Sequence, residues 1–178
     1  MSKKRLSAFL ALLLVLIPLI VSCETAGPFS INGVYRWGMT GGEIRAVLGS
    51  AKVETENEKN LTWLETDDAS FLFEGLPCEI AFGLSSDRLV LILIDFEDRV
   101  DALSVKEKLT GRYGEGAASG DPAVLSGLEA MSDPDVIALR DDEPQSFTLW
   151  TLTDGTCALM IVSETDGEAK AVFWTGKE

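Results

Sequence analysis

Two copies of W-x-x-T-D are the first residues in this sequence whose types and spacing suggest chemistry. Trp63 stands with Thr66 and Asp67, and Trp150, 87 positions later, stands with Thr153 and Asp154. Trp63 and Trp150 projecting from one sheet face would anchor a protein partner or a glycan, because tryptophan dominates binding hot spots. The plainer use has tryptophan packing beneath a helix while Thr-Asp shapes a hairpin turn through side-chain-to-backbone bonds. The turn residues recur in both copies, which favours the plainer use. Acids supply the other candidates: Asp67/Asp68, Asp95/Glu97/Asp98, Asp133/Asp135 and Asp141/Asp142/Glu143. Calcium takes about six to eight oxygens, often from alternating acids around a glycine turn. Asp133 and Asp135 followed by Asp141 and Asp142 come nearest and lack the full loop, so no metal or cofactor is expected. A glycosidase-type carboxylate pair is available in number, but nothing in the sequence brings two acids into one cleft. The chain has no histidine. With no G-x-S-x-G, phosphate loop or C-x-x-C either, the common hydrolase and zinc chemistries fall away, and a non-catalytic protein is expected.

The three cysteines divide by position. Cys23 follows a positive stretch, Lys3-Lys4-Arg5, and an apolar run from Ala8 to Val21 that is too short for a spanning helix, which needs about 20 residues. Ile20-Val21-Ser22-Cys23 resembles the lipobox of bacterial lipoproteins. That resemblance implies cleavage before Cys23, fatty acyl chains such as palmitate on that residue, and a protein anchored on the extracytoplasmic side of the bacterial envelope. Glu24 in place of aspartate at the next position then favours an outer membrane where the cell has one. Residues 1–22 are thus expected to be a signal peptide and 23–30 the lipidated cysteine and a short tether, reaching roughly 20–25 Å. Cys78 and Cys157 lie in strand-like apolar runs. Outside the cytoplasm they could form a disulfide, but buried free thiols are the favoured reading.

Charge excludes whole classes of partner. The formal net charge is −14, and removing residues 1–22 takes away three basic residues and no acid, leaving −17. Such a surface repels nucleic acid and anionic headgroups. The partners expected are the membrane, through acyl chains on Cys23, and another protein.

The elements that must position these residues are legible in part. Thr40-Gly-Gly-Glu43 reads as a capping box, with Met39 and Ile44 at the staple positions and Gly49 as the stop. A second helix is expected over 98–112, ended by Gly114. Strands are expected at 52–56, 61–65, 70–73, 78–82, 88–96, 146–152, 156–163 and 169–174. The run LVLILI (89–94) is apolar at every position and so belongs mid-sheet, covered on both faces. Residues 83–87 should contain a hairpin turn. Residues 115–144, rich in Gly, Ser, Asp and Pro, read as an insertion loop with a helical turn at 123–131 and an edge strand at 136–140.

Each half runs helix, glycine stop, loop, then a strand carrying W-x-x-T-D. The expected fold is α+β: two similar α-β-β(-β) units, 31–97 and 98–178, sharing one antiparallel sheet with helices packed on one face. The string carried by Gly38, Met39, Thr40, Glu43, Ile44, Leu48 and Gly49 resembles the start of the BamE (SmpA/OmlA) lipoproteins and their beta-lactamase-inhibitor-protein-like relatives. That resemblance implies a small α+β fold that binds other proteins. The function expected is a lipid-anchored, extracytoplasmic protein-interaction module in envelope assembly or maintenance; the alternative is a lipoprotein binding a small ligand or carbohydrate. Trp63, Trp150, Asp133, Asp135, Asp141 and Asp142 are the partner-binding candidates.

Overall fold

The computed structural model describes residues 29–49, 53–58, 61–66, 71–118, 121 and 145–175. Over the described residues the chain folds as an α+β protein with a largely antiparallel sheet and two helices. A small hairpin, β1 (Ser30–Ile31) and β2 (Tyr35–Arg36), leads into helix α1 (Gly41–Leu48). Four longer strands follow, β3 (Val53–Glu58), β4 (Leu61–Thr66), β6 (Leu76–Ser85) and β7 (Arg88–Phe96), with the two-residue β5 (Leu72–Phe73) paired beside β6. Helix α2 (Ala102–Tyr113) precedes β8 (Ala117–Ala118), β9 (Gln145–Thr151), β10 (Thr156–Ser163) and β11 (Ala169–Thr175). The sheet order is β3-β4-β6-β7-β11-β10-β9-β8, with every pairing antiparallel. The last strand before α2 and the last strand described thus lie side by side at its centre.

Helix α1 begins as its sequence dictates. The Thr40 hydroxyl accepts from the Glu43 N–H at 3.2 Å, and the Glu43 carboxylate accepts from the Thr40 N–H at 2.8 Å. These bonds satisfy two of the donors that a helix start leaves without partners. Helix α2 starts at Asp101, whose carboxylate accepts from the Leu103 N–H at 3.3 Å, three residues beyond the expected start. Residues 97–100 are instead drawn into a turn, with the Val100 N–H donating to the Glu97 carbonyl at 2.7 Å.

The pleat sorts strand residues into two buried clusters. The first holds Leu64, Phe82, Ile92, Ile94, Phe173, Ala158 and Trp150, together with Ile44 of α1, Val105 and Leu109 of α2, and Ile31 and Tyr35 of the hairpin. The second holds Leu91, Val172, Leu159, Ile161 and Leu149, with Trp63, Leu93, Phe147 and Trp174 packed against it. Strand β7 supplies both, which is why LVLILI is apolar throughout.

One expectation is corrected here. The tether does not extend through Ser30. Phe29 is buried, stacks on Trp37 with ring centroids 4.7 Å apart, and donates its N–H to the Asp154 carboxylate at 2.9 Å. Cys78 and Cys157 are free thiols, the favoured of the two readings. Cys78 belongs to the first cluster and Cys157 packs against the second, and β7 and β11 lie between their strands. The hairpin turn expected within 83–87 is there: β6 continues to Ser85, and Ser86 and Asp87, with φ of 49° and 59°, turn the chain. The expected edge strand at 136–140 and helical turn at 123–131 lie outside the described residues.

Candidate functional site

The two tryptophans that opened the sequence reading do not share a face. Trp63 pairs with Gly83, Gly83 with Leu91, Leu91 with Trp174, Trp174 with Cys157 and Cys157 with Thr151. The neighbouring row runs Leu64, Phe82, Ile92, Phe173, Ala158, Trp150. Trp150 is therefore one position out of step with Trp63, and a slip of one residue reverses the face. Trp150 is 2% exposed, and its indole N–H donates to the Gly114 carbonyl at 2.8 Å. It clamps the end of α2 to β9 and cannot serve as a partner-binding anchor, so that expectation is withdrawn. Asp154, its companion, is also structural. Burial pushes the Asp154 carboxyl up, but hydrogen bonds from the Thr156 and Phe29 N–H groups and the Thr156 hydroxyl more than offset this and hold it below the usual aspartate range.

The capping and stop residues sit where the first helix needs them. Ile44 is fully buried, and Met39 packs against the first cluster. Gly49 and Gly114 have φ of 65° and 83°, and their N–H groups return to the Arg45 and Thr110 carbonyls. Cys23, Asp67, Asp133, Asp135, Asp141 and Asp142 lie outside the described residues.

Trp63 belongs to a different setting. It is half-buried against the second cluster, and its ring lies across the backbone of Gly83. A Cβ at Gly83 would stand 3.2 Å from Leu91 Cβ, tighter than ordinary contact, and 3.4 Å from Trp63 Cζ3, so the glycine lets the indole and Leu91 pack closely over the strand. Beyond Trp63 on the same face, the row Glu54, Glu65, Ala81, Leu93, Val172, Leu159 crosses the sheet, and after it Glu79, Asp95, Lys170, Ile161. Over β9 and β10 this face is closed: Leu149, Leu159 and Ile161 are buried, as is Val172 of β11. Over β3, β4, β6 and β7 it is open. Glu54, Glu56, Glu65 and Glu79 are exposed, while Trp63, Ala81 and Leu93 are half-buried among them.

Two clefts meet on this open half. One of about 160 Å³ is floored by Ala81 and Leu93 and walled by Glu65, Glu79 and Asp95. The other, of about 480 Å³, extends past Glu79 and Asp95 to Glu97, Asp98, Arg99 and Glu168. Basic groups temper some of these acids: Lys170 Nζ lies 2.7 Å from Asp95, and Arg99 Nε 2.7 Å from Glu97. The described lining of the clefts brings carboxylates together with one hydroxyl, that of the buried Thr66, and among the described residues no group of acids or cysteines is arranged to hold a metal. What this face can do is present negative charge around a small apolar floor.

Sequence reading missed this grouping. Glu54, Glu56, Glu65 and Glu79 do not stand out in the sequence, because only the register between strands puts them on one face. No helix among the described residues is long and apolar enough to cross a membrane. Compared with known protein families, curated proteins and solved structures, the chain matches none.

Proposed function

We propose that this chain is a lipid-anchored, extracytoplasmic protein-interaction module without catalytic activity, working in assembly or maintenance of the bacterial envelope. The lipobox-like Ile20–Cys23 supports the anchor, and the start of α1 resembles the BamE-type lipoproteins. We read the fold behind it as two αββ-type units that share one sheet and keep both helices on the same face. Supporting that reading, the sheet order is symmetric about β7 and β11, and the buried residues of α1 and α2 fall in one cluster.

The observation that carries the interaction role is the half-open second face, where Trp63, Ala81 and Leu93 remain partly accessible beside a closed apolar cluster. Partly exposed aromatic and aliphatic groups ringed by polar residues are the usual makings of a protein contact. The small-ligand alternative relied on tryptophan and acids meeting in a pocket. The described lining of the larger cleft is acids, Arg99 and Phe96, with no tryptophan among them, so it does not favour that alternative.

A photo-crosslinking residue at Leu93 tests the role in intact cells, with the same residue at Leu103 as control. Leu103 is an exposed apolar position on α2, 61% accessible. A discrete protein adduct from Leu93 and not from Leu103 is expected; no adduct, or equal adducts from both, defeats the role. The anchor is tested separately by the mass of the peptide beginning at Cys23. It should carry acyl chains, and Cys23→Ala should release the protein from the membrane fraction.

A further inference from the structure

We infer that one end of the sheet faces the phospholipid headgroups, because a clasp on Phe29 ties the anchored chain to that end and sets the other end outward. This inference rests on the lipid anchor proposed above and names the surface that meets the membrane. Phe29 is held from three sides. Its N–H donates to the Asp154 carboxylate at 2.9 Å, its ring stacks on Trp37 at 4.7 Å, and its centroid lies 5.3 Å from that of Phe173 in β11. Trp37 is fixed in turn, since its indole N–H donates to the Thr156 hydroxyl at 2.7 Å. Asp154, Thr156 and Trp37 all belong to the same end of the sheet. There Thr156 opens β10 against Thr175 of β11, and Arg88 opens β7 against Ser85 of β6. The turns at 86–87 and 152–155 close that end. At the opposite end Phe96 pairs with Cys78 and Val162 with Ala169, and residues 97–101 and 164–168 turn the chain.

A plainer use for the clasp is to seal the first cluster, to which Phe29 belongs. The consequence for the anchor follows from where that seal is made. Only residues 24–28 separate Cys23 from Phe29, a reach of at most about 20 Å. Strand β10, at eight residues, runs about 27 Å. The clasped end therefore stays within about 20 Å of the headgroups, and the other end of an upright sheet stands a further strand length away. Charge favours the upright pose over one lying on the open face or standing on the outer end. The open face carries Glu56 and Glu79, and the outer end carries Asp98, Glu164 and Glu168, all exposed. A membrane surface bearing anionic lipid repels both. Upright, the cleft lined by Glu97, Asp98, Arg99 and Glu168 opens toward the aqueous side, and the half-face around Leu93 stays clear of the bilayer for a protein partner. A pose resting on α2 through the exposed Lys106 and Lys108 would instead bring both ends equally near the headgroups.

Thr153 and Thr165 make a matched pair of probe positions. Each is exposed and stands in a Thr-Asp-Gly turn, one at either end of β10. A fluorescent residue is placed at one or the other in the full acylated chain, reconstituted in phosphatidylcholine vesicles that carry an energy acceptor on their headgroups. Transfer from position 153 should exceed transfer from position 165 several-fold. Twelve Gly and Ser residues inserted after Glu24 leave the clasp intact and add roughly 20 Å of root-mean-square reach, so the two transfers should converge. Phe29→Ala loosens the clasp and should narrow the gap as well; if that variant does not fold, the insertion decides alone. Equal transfer from the two positions, greater transfer from 165, or a gap that the insertion leaves unchanged overturns the inference. The two proposals are told apart by flotation. A chain that does not float with the vesicles defeats the anchor and this inference with it, whereas a floating chain with equal transfer defeats the inference alone.

Discussion

The carboxylate of Asp154 joins two parts of the chain that stand 125 residues apart in sequence, accepting at 2.9 Å from the Phe29 N–H and at 2.9 Å from the Thr156 N–H. Hydrogen bonds to a charged acceptor are stronger than neutral ones, so Asp154→Ala should lower stability at neutral pH by about 1–3 kcal/mol in urea unfolding. Its carboxyl is held below the usual aspartate range in the fold. The stabilisation is therefore fully present above that range and is lost as pH falls through it toward the folded value. Plotted against pH, the melting temperatures of wild type and Asp154→Ala should converge in acid; a constant gap would mean that the charge is not what matters. Cys78 makes the opposite point about titration. Burial pushes its thiol up to about 12, so it holds no thiolate at neutral pH and has no route to attack a reagent. Alkylation of Cys78 should appear only on unfolding, and reductant should leave the melting temperature unchanged.

At the scale of elements, the parts best read from sequence were those fixed by neighbours a few residues away. Helix α1 has its cap, staple and stop within ten positions, and β7 and β10 begin and end where expected. Thr40→Ala should cost about 1 kcal/mol, read as a lower urea midpoint at unchanged slope. What sequence did not reveal depends on register, which is set by partners far along the chain. Trp63 and Trp150 align in a text comparison, yet successive pairings across six strands put them on opposite faces. The acidic half-face was hidden for the same reason, since four strands must be aligned before its members become neighbours. The helix expected from 98 begins later because a turn ending at Val100 intervenes and Asp101 supplies the cap. The junction after α2 offers a sharper test of local packing. A Cβ on Gly116 would lie 2.7 Å from both Thr148 Cγ2 and Trp150 Cε2. Gly116→Ala must displace the indole and strain its bond to the Gly114 carbonyl, so a loss of about 1–3 kcal/mol is expected. Retained stability with an unshifted Trp150 fluorescence would show that the packing there yields easily.

For the whole molecule, the consequence of placing β7 beside β11 is that neither half completes a sheet alone. Residues 29–97 end on β7, whose apolar residues fill both clusters, and their separate expression would leave the hydrogen-bonding edge that faces β11 without its partner. An exposed, flat, apolar edge is a template for pairing with another chain. The symmetric sheet order adds a specific alternative to aggregation: on the two-unit reading, a second copy of the first half could offer its own β7 where β11 stands. Antiparallel pairing would then close the sheet as a homodimer. Expressed alone, residues 29–97 should therefore be dimeric or insoluble by light scattering, and never a stable monomer. Supplying residues 98–178 in the same cell should rescue a soluble one-to-one complex, because β11 restores the native partner and α2 restores Val105 and Leu109 to the first cluster. A monomeric, cooperatively unfolding first half would refute the dependence argued here, since it would require β7 to be stable with one edge bare.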